Sequence, residues 1–201
     1  MKVSIVDYGA GNLPSVERAL LALGATAERA IEPLQIAAAA ALVLPGVGHF
    51  SAFVAGLRNR NLTPALRDAH ARGVSILGIC LGLQALFDSS AEAPTEAGLG
   101  FLAGEVRALP PGVKSPHIGW NQLTSVKPGK LLCGIPEHTH FYFAHSFAAP
   151  IAQEYTAATC DHGFQFVAAI ELANLMAVQF HPEKSGEAGA RVLRNFLEAA
   201  R

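Results

Sequence analysis

Gly78-Ile79-Cys80-Leu81-Gly82 sets a cysteine between two glycines, each two residues away, directly after the apolar run Val74-Ser75-Ile76-Leu77. The run reads as a short buried strand and Leu81 to Phe87 as the start of a helix, so Cys80 falls on a strand-turn-helix corner. Glycines on both sides remove the Cβ atoms that would hold strand and helix apart, which is how a nucleophile elbow projects its reactive atom into a cleft. At the N-terminus of a helix the sulfur also meets the positive end of the backbone dipoles, and this favours thiolate over thiol. Nucleophilic attack on an acyl carbon is the chemistry that fits. The plain alternative for a single cysteine is packing in the core; the paired glycines favour the reactive reading.

A thiolate needs a base, and the base needs an orienter. Gln179-Phe180-His181-Pro182-Glu183-Lys184-Ser185 offers both, far from Cys80 in the chain, as spatially assembled Cys/His sites are. Pro182 pushes His181 into extended backbone, where residues two apart project to one side, so Glu183 can curl back to the imidazole. The roles that follow are Cys80 as nucleophile, His181 as general base and acid, and Glu183 as orienter of the ring. A third stretch, Leu42-Val43-Leu44-Pro45-Gly46-Val47-Gly48, is an apolar strand breaking into a glycine-rich loop. An oxyanion formed at the attacked carbonyl would be held by the N–H of Leu81 and by one from the Gly46–Gly48 loop, that of Val47. Taken alone, Pro-Gly-x-Gly is an ordinary tight connection.

Together Gly78-Ile79-Cys80-Leu81-Gly82-x-Gln84, His181-Pro182-Glu183 and Pro45-Gly46-Val47-Gly48 resemble the class I, triad-type glutamine amidotransferases. Further segments narrow the resemblance to the glutaminase subunits of imidazole glycerol phosphate synthases: Asp7-Tyr8-Gly9-Ala10-Gly11-Asn12-Leu13, His117-Ile118-Gly119-Trp120-Asn121, and Tyr142-Phe143-Ala144-His145-Ser146. The resemblance runs from Val3 to the last helix. It implies that L-glutamine is held by Gly48, Gln84, Tyr142, His145 and Ser146, with its amide carbon facing Cys80. It implies a thioester intermediate, no metal and no other cofactor, and ammonia passed to a separate (β/α)-barrel cyclase subunit in a heterodimer. Asn12 with the Gly9–Asn12 loop, Trp120 and Lys184 would then rim the mouth of the site against that partner. Gln84, four residues after Cys80, also lies one helical turn along the same face. The alternatives left open are the glutaminase subunit of another amidotransferase, such as anthranilate or pyridoxal phosphate synthase, and a Cys-His hydrolase of the protease or chaperone type. Pro14-Ser15 departs from the family's pattern after Leu13.

The elements that must position these residues read as an α/β beginning and a strand-rich second half. Lys2 to Val6, Ala41 to Leu44 and Val74 to Ile79 are apolar strands alternating with helices after Asn12, at Phe50 to Arg58 and at Thr63 to Arg72, which implies a mostly parallel, flavodoxin-like sheet flanked by helices. Asn12 is the expected cap of the first helix, with Pro14 in its first turn and Gly24 at its end. Asp88 to Gly98 reads as a loop. Beyond it, Glu105 to Leu109, Phe141 to Phe147, Tyr155 to Cys160, Phe164 to Ile170 and Leu175 to Phe180 read as further strands, Asp161-His162-Gly163 as a hairpin turn, and Ala188 to Ala200 as a closing helix. Residues 1–201 form one domain on this reading, which leaves no part of the chain to consume the ammonia.

Composition excludes several classes. Fifteen basic residues balance sixteen acidic ones, so there is no net cationic field for nucleic acid or an anionic membrane. The longest apolar run, Ile36 to Leu44, stops at Pro45 and falls short of the about 20 residues that span a bilayer. Asp7 comes too early for the apolar core of a secretory signal. Three cysteines, an odd number in a chain able to bury a core without staples, fit a reducing, cytoplasmic setting, with Cys133 and Cys160 assigned to packing. His138 and His140 lack a second Cys/His pair at zinc spacing.

Overall fold

Strands without a polar face dominate the centre of the computed structural model, which describes Met1–Arg201. The first half runs β1 (Lys2–Val6), α1 (Leu13–Ala22), β2 (Thr26–Ala30), α2 (Pro33–Ala37), β3 (Ala41–Gly46), α3 (Phe50–Asn59), α4 (Leu62–Ala71), β4 (Ser75–Cys80) and α5 (Leu81–Gln84). The second runs β5 (Phe87–Ser90), β6 (Leu102–Ala108), β7 (His117–Val126), β8 (His140–His145), β9 (Phe147–Ala148), β10 (Thr156–Asp161), β11 (Gln165–Leu172) and β12 (Leu175–Val178). A 3-10 turn (Pro182–Lys184) and α6 (Gly186–Ala199) close the chain. Every residue of β3 and β12 is buried, as is all of β4 after Ser75, because helices cover both faces of this part of the sheet.

The main sheet has nine strands in the order β2-β1-β3-β4-β12-β11-β10-β7-β8. From β2 to β12 neighbours are parallel; from β12 to β8 they are antiparallel. Alternate residues feed two apolar layers. Val3, Ile5, Val43 and Leu77 meet Leu20 of α1 and Phe196 of α6, while Val6, Leu42 and Leu44 meet Phe53 of α3 and Leu66 of α4. A three-stranded sheet, β5-β6-β9, lies beside this core. No helix is long and apolar enough to cross a membrane.

Four local expectations are corrected. The helix after Cys80 is a single turn, because Leu99 N–H donates to Ala85 O (2.8 Å) and Phe101 N–H to Leu86 O (2.8 Å), drawing the chain into β5. The expected loop from Asp88 therefore begins as a strand, Phe87 pairing with Leu102. Asn12 occupies the position before α1 but makes no side-chain cap; its carbonyl accepts from Ser15 N–H at 3.2 Å. Cys133 is exposed on a turn rather than packed, whereas Cys160 is buried on β10. Two strands had no apolar signature to find them: β2 is an edge with only Ala30 buried, and β7 has only His117 and Leu123 buried.

Candidate active site

β1, β3 and β4 are parallel and end side by side, so the loops leaving them share one edge of the sheet, the place where open α/β sheets bind ligands. Cys80 ends β4 with φ 54° and ψ −108°, a backbone conformation that costs a non-glycine residue roughly 1–3 kcal/mol and aims its side chain off the strand. Close backbone contact holds it there. A Cβ on Gly82 would stand 1.8 Å from Leu44 O, and one on Gly46 would stand 2.6 Å from Gly82 N. Gly82 is thus required by space, and so is Gly78, whose Cβ would stand 2.9 Å from Gly82 O, as the elbow reading anticipates; Gly46 is a third glycine that this contact demands.

His181 reaches Cys80 from the far end of the chain. Parallel pairing of β12 with β4 delivers the segment after Val178 to the same edge. His181 has extended backbone (φ −100°, ψ 96°); its N–H donates to Tyr142 O at 2.8 Å, and its carbonyl accepts from Ser185 Oγ at 2.7 Å. Glu183 Oε1 lies 2.9 Å from His181 Nδ1, and both side chains are almost wholly buried. Glu183 arrives by the 3-10 turn of residues 182–184, not by extended backbone beyond Pro182. With Nδ1 engaged, Nε2 is left for Cys80. Burial by itself would lower the His181 pKa, but hydrogen bonds to Cys80 and Glu183, together with their negative charges, overcome it and raise the value to about 10.

Cys80 and His181 open on one cavity of about 290 Å³, also lined by Gly48, Gln84, His145 and Ser146. Val47, Leu81 and Lys184 line it too. Two expectations change. Val47 N–H donates to the hydroxyl of buried Tyr8 at 3.3 Å, so in this arrangement it is not offered to an oxyanion. Burial, opposed by that hydrogen bond, raises the Tyr8 pKa to about 12, which keeps the phenol neutral. Tyr142 does not line the cavity. Its neighbours alternate inward on β8, leaving its ring beside Trp120 (6.2 Å between centroids) with Lys184 Nζ over it at 5.6 Å, and its backbone serves His181. Asn12 and Trp120 lie outside the cavity lining. A larger groove of about 470 Å³ beside α3 and α4 is lined by neither cysteine nor histidine.

Behind the cavity wall lies a buried polar chain. His145 Nδ1 donates to Phe147 O (2.9 Å), leaving its Nε2 to accept from His117 Nδ1 (3.0 Å), and His117 Nε2 accepts from Asn121 Nδ2 (3.3 Å). Burial lowers the pKa of His145 to about 3 and, with the charge of His162, that of His117 to about 4, so both are neutral. Gln84 Nε2 donates to Phe147 O (2.9 Å) and to Gln179 Oε1 (3.1 Å), and Gln179 Nε2 reaches Cys80 Sγ (3.6 Å). Tyr8 and Gln179 belong to the segments quoted from the sequence but carry no role there. A glutamine directly after the apolar run Leu175 to Val178 and two residues before the expected base was the only sequence signal for Gln179, which the structure shows to be fully buried.

The sequence model described as glutamine amidotransferase class-I matches residues 4–200. Among curated proteins, one named imidazole glycerol phosphate synthase subunit HisH from Moorella thermoacetica is 48% identical over 99% of this chain and 95% of its own. Proteins of the same name from Methanothermobacter thermautotrophicus (47%, 99% of each chain) and Aquifex aeolicus (45%, 100% and 98%) are similarly close. Among solved structures, one described as a glutamine amidotransferase superposes with a TM-score of 0.79 at 20% identity over 98% of each chain, and PurLQS from Thermotoga maritima with 0.77 at 18% over 100% and 99%.

Proposed function

This chain belongs to the class I glutamine amidotransferase family, and from that premise we propose that Cys80, His181 and Glu183 are its glutaminase triad. It is an enzyme, the glutaminase subunit of an imidazole glycerol phosphate synthase, working as one domain. The observation that carries the site reading is the shared cavity of Cys80 and His181, with Glu183 on the other side of the imidazole. The thiolate attacks the carboxamide carbon of L-glutamine; the C–N bond then breaks as His181 gives its proton to the departing nitrogen, leaving a glutamyl thioester and ammonia. Water, deprotonated by the same ring, opens the thioester, releases glutamate and regenerates the sulfur.

Gly48, Gln84, His145 and Ser146 hold the substrate. Leu81 N–H, next to the nucleophile, serves the oxyanion, and Val47 N–H joins it only after leaving Tyr8. A missing donor costs about 3–4 kcal/mol of barrier, so hydrolysis is slow while Tyr8 holds that amide. The ammonia goes to a cyclase subunit that docks over the cavity mouth, with Trp120, Lys184 and the Gly9–Asn12 loop as its contacts; exposed Trp120 and the place of Lys184 in the cavity lining support this reading. The working compartment is the cytoplasm, in keeping with three unpaired cysteines.

The test uses this chain mixed with its cyclase at micromolar concentration. Co-elution in gel filtration is expected. Cys80→Ser should cut glutamine-driven synthesis on the order of 10⁴-fold or more while ammonia-driven synthesis by the complex persists. Glutamine-dependent turnover retained in that variant would overturn the assignment.

A further inference from the structure

The hydrogen-bond chain behind the cavity has a direction, and a backbone carbonyl sets it. Phe147 O can only accept, so it draws an N–H of Gln84 (2.9 Å) and the Nδ1–H of His145 (2.9 Å). The same Gln84 nitrogen lies 3.1 Å from Gln179 Oε1, and this turns the Gln179 nitrogen to the opposite side, 3.6 Å from Cys80 Sγ. Reversing Gln84 would set its oxygen against the carbonyl of Phe147. Reversing Gln179 would set nitrogen against nitrogen and an oxygen against the sulfur. Gln179 is fully buried, just beyond β12, with its own N–H on Ala168 O at 2.9 Å, so it has no room to swing away.

We propose that Gln179 is a further catalytic residue: its side-chain N–H holds the sulfur of Cys80, and its oxygen turns Gln84 so that only an acceptor faces the substrate. The proposal rests on the glutaminase reading of the cavity. An N–H donor strengthens its bond when the sulfur becomes anionic, so Gln179 favours the attacking form of Cys80 over the thiol, whose own contact is Ala144 O at 3.8 Å. Both N–H groups of Gln84 are used, and its Oε1 is the atom left at the cavity. That oxygen accepts from a carboxamide or ammonium N–H of the substrate and repels a carboxylate. One side chain thus couples nucleophile activation to recognition.

The experiment follows Cys80 alkylation by iodoacetamide in a Cys133→Ser background, which removes the exposed thiol, alongside glutamine kinetics of the complex. Gln179→Met should slow alkylation at pH 7 by about tenfold or more and raise KM for glutamine by a similar factor, the scale of a lost hydrogen bond to a charged group. Gln84→Met should raise KM yet leave alkylation within about threefold of the parent, because the sulfur keeps its donor. If Gln179→Met does not fold, as read by circular dichroism, Gln179→Glu keeps the shape and sets an oxygen at the sulfur; it should slow alkylation at pH 9 at least as much. Alkylation within about twofold of the parent in a folded Gln179 variant, or an unchanged KM in Gln179→Met, overturns the proposal. Alkylation needs no glutamine, so that failure is distinct from failure of the glutaminase reading, which would appear as a parent complex unable to hydrolyse glutamine.

Discussion

At the scale of residues, the candidate site is a set of charges and dipoles tuned by burial. His181 holds its proton more tightly in the fold than at its ordinary value of 6.5, because Cys80 and Glu183 reward the imidazolium more than burial penalises it. The stability this contributes is complete below pH 6.5 and fades as pH rises through about 10, where the folded ring loses its proton. The melting temperature should therefore fall between pH 6 and pH 10. In Cys80→Ser the fall should be smaller, since the anionic partner is gone; an equal fall in both would show that Cys80 does not hold the His181 proton. His145 and His117 run the other way. Kept neutral by burial, they support the fold in full above their ordinary value of 6.5 and withdraw that support as pH drops toward about 4 for His117 and about 3 for His145.

Elements position these residues by touching at backbone distance. The corner between β4 and α5 presses on the end of β3, with Gly82 under Leu44 O and Gly46 beside Gly82 N. Gly82→Ala puts a methyl carbon 1.8 Å from a carbonyl oxygen, so strands must part and the strained Cys80 corner relaxes. The expected cost is about 3 kcal/mol or more, a fall of roughly 6–12 °C in melting temperature, with glutaminase activity lost even where the variant stays folded. A melting point within about 2 °C of the parent would mean that the corner tolerates the methyl group. On the other side, Gly189 of α6 would meet Pro182 O at 2.0 Å if it carried a Cβ, so this helix abuts the turn that presents Glu183. Ser185, accepting from Tyr142 N–H (3.0 Å) and donating to His181 O, ties that turn to β8.

Across the whole molecule, the catalytic edge carries an apolar rim, with Ile118 and Trp120 more than half exposed and Val47 over a third. A partner that must collect ammonia before water protonates it has to seal this mouth, and aromatic anchors carry much of the affinity of such contacts. Trp120→Ala should weaken binding to the cyclase by about 30-fold, the 2 kcal/mol of a buried aromatic, measured by calorimetric titration, while Cys80 alkylation in the free chain is unchanged. Binding at the parent affinity would remove Trp120 from the interface. The sequence by itself determined the parts whose physics is local: glycine spacing at the elbow, the proline that extends His181, the apolar runs of β1, β3, β4 and β12, and the order of the triad segments. It was silent on β2, which buries only Ala30, and on β7, which buries only His117 and Leu123, because neither carries a run of buried apolar residues, and it overran α5, whose end is fixed by hydrogen bonds from Leu99 and Phe101. Only the tertiary structure decided which partner each polar group takes. The Val47 amide turned to Tyr8, Tyr142 set edge-on to Trp120 outside the cavity and Gln179 aimed at the sulfur all follow from contacts between segments tens of residues apart, and residue type and spacing along a chain carry no record of which donor meets which acceptor when those segments close.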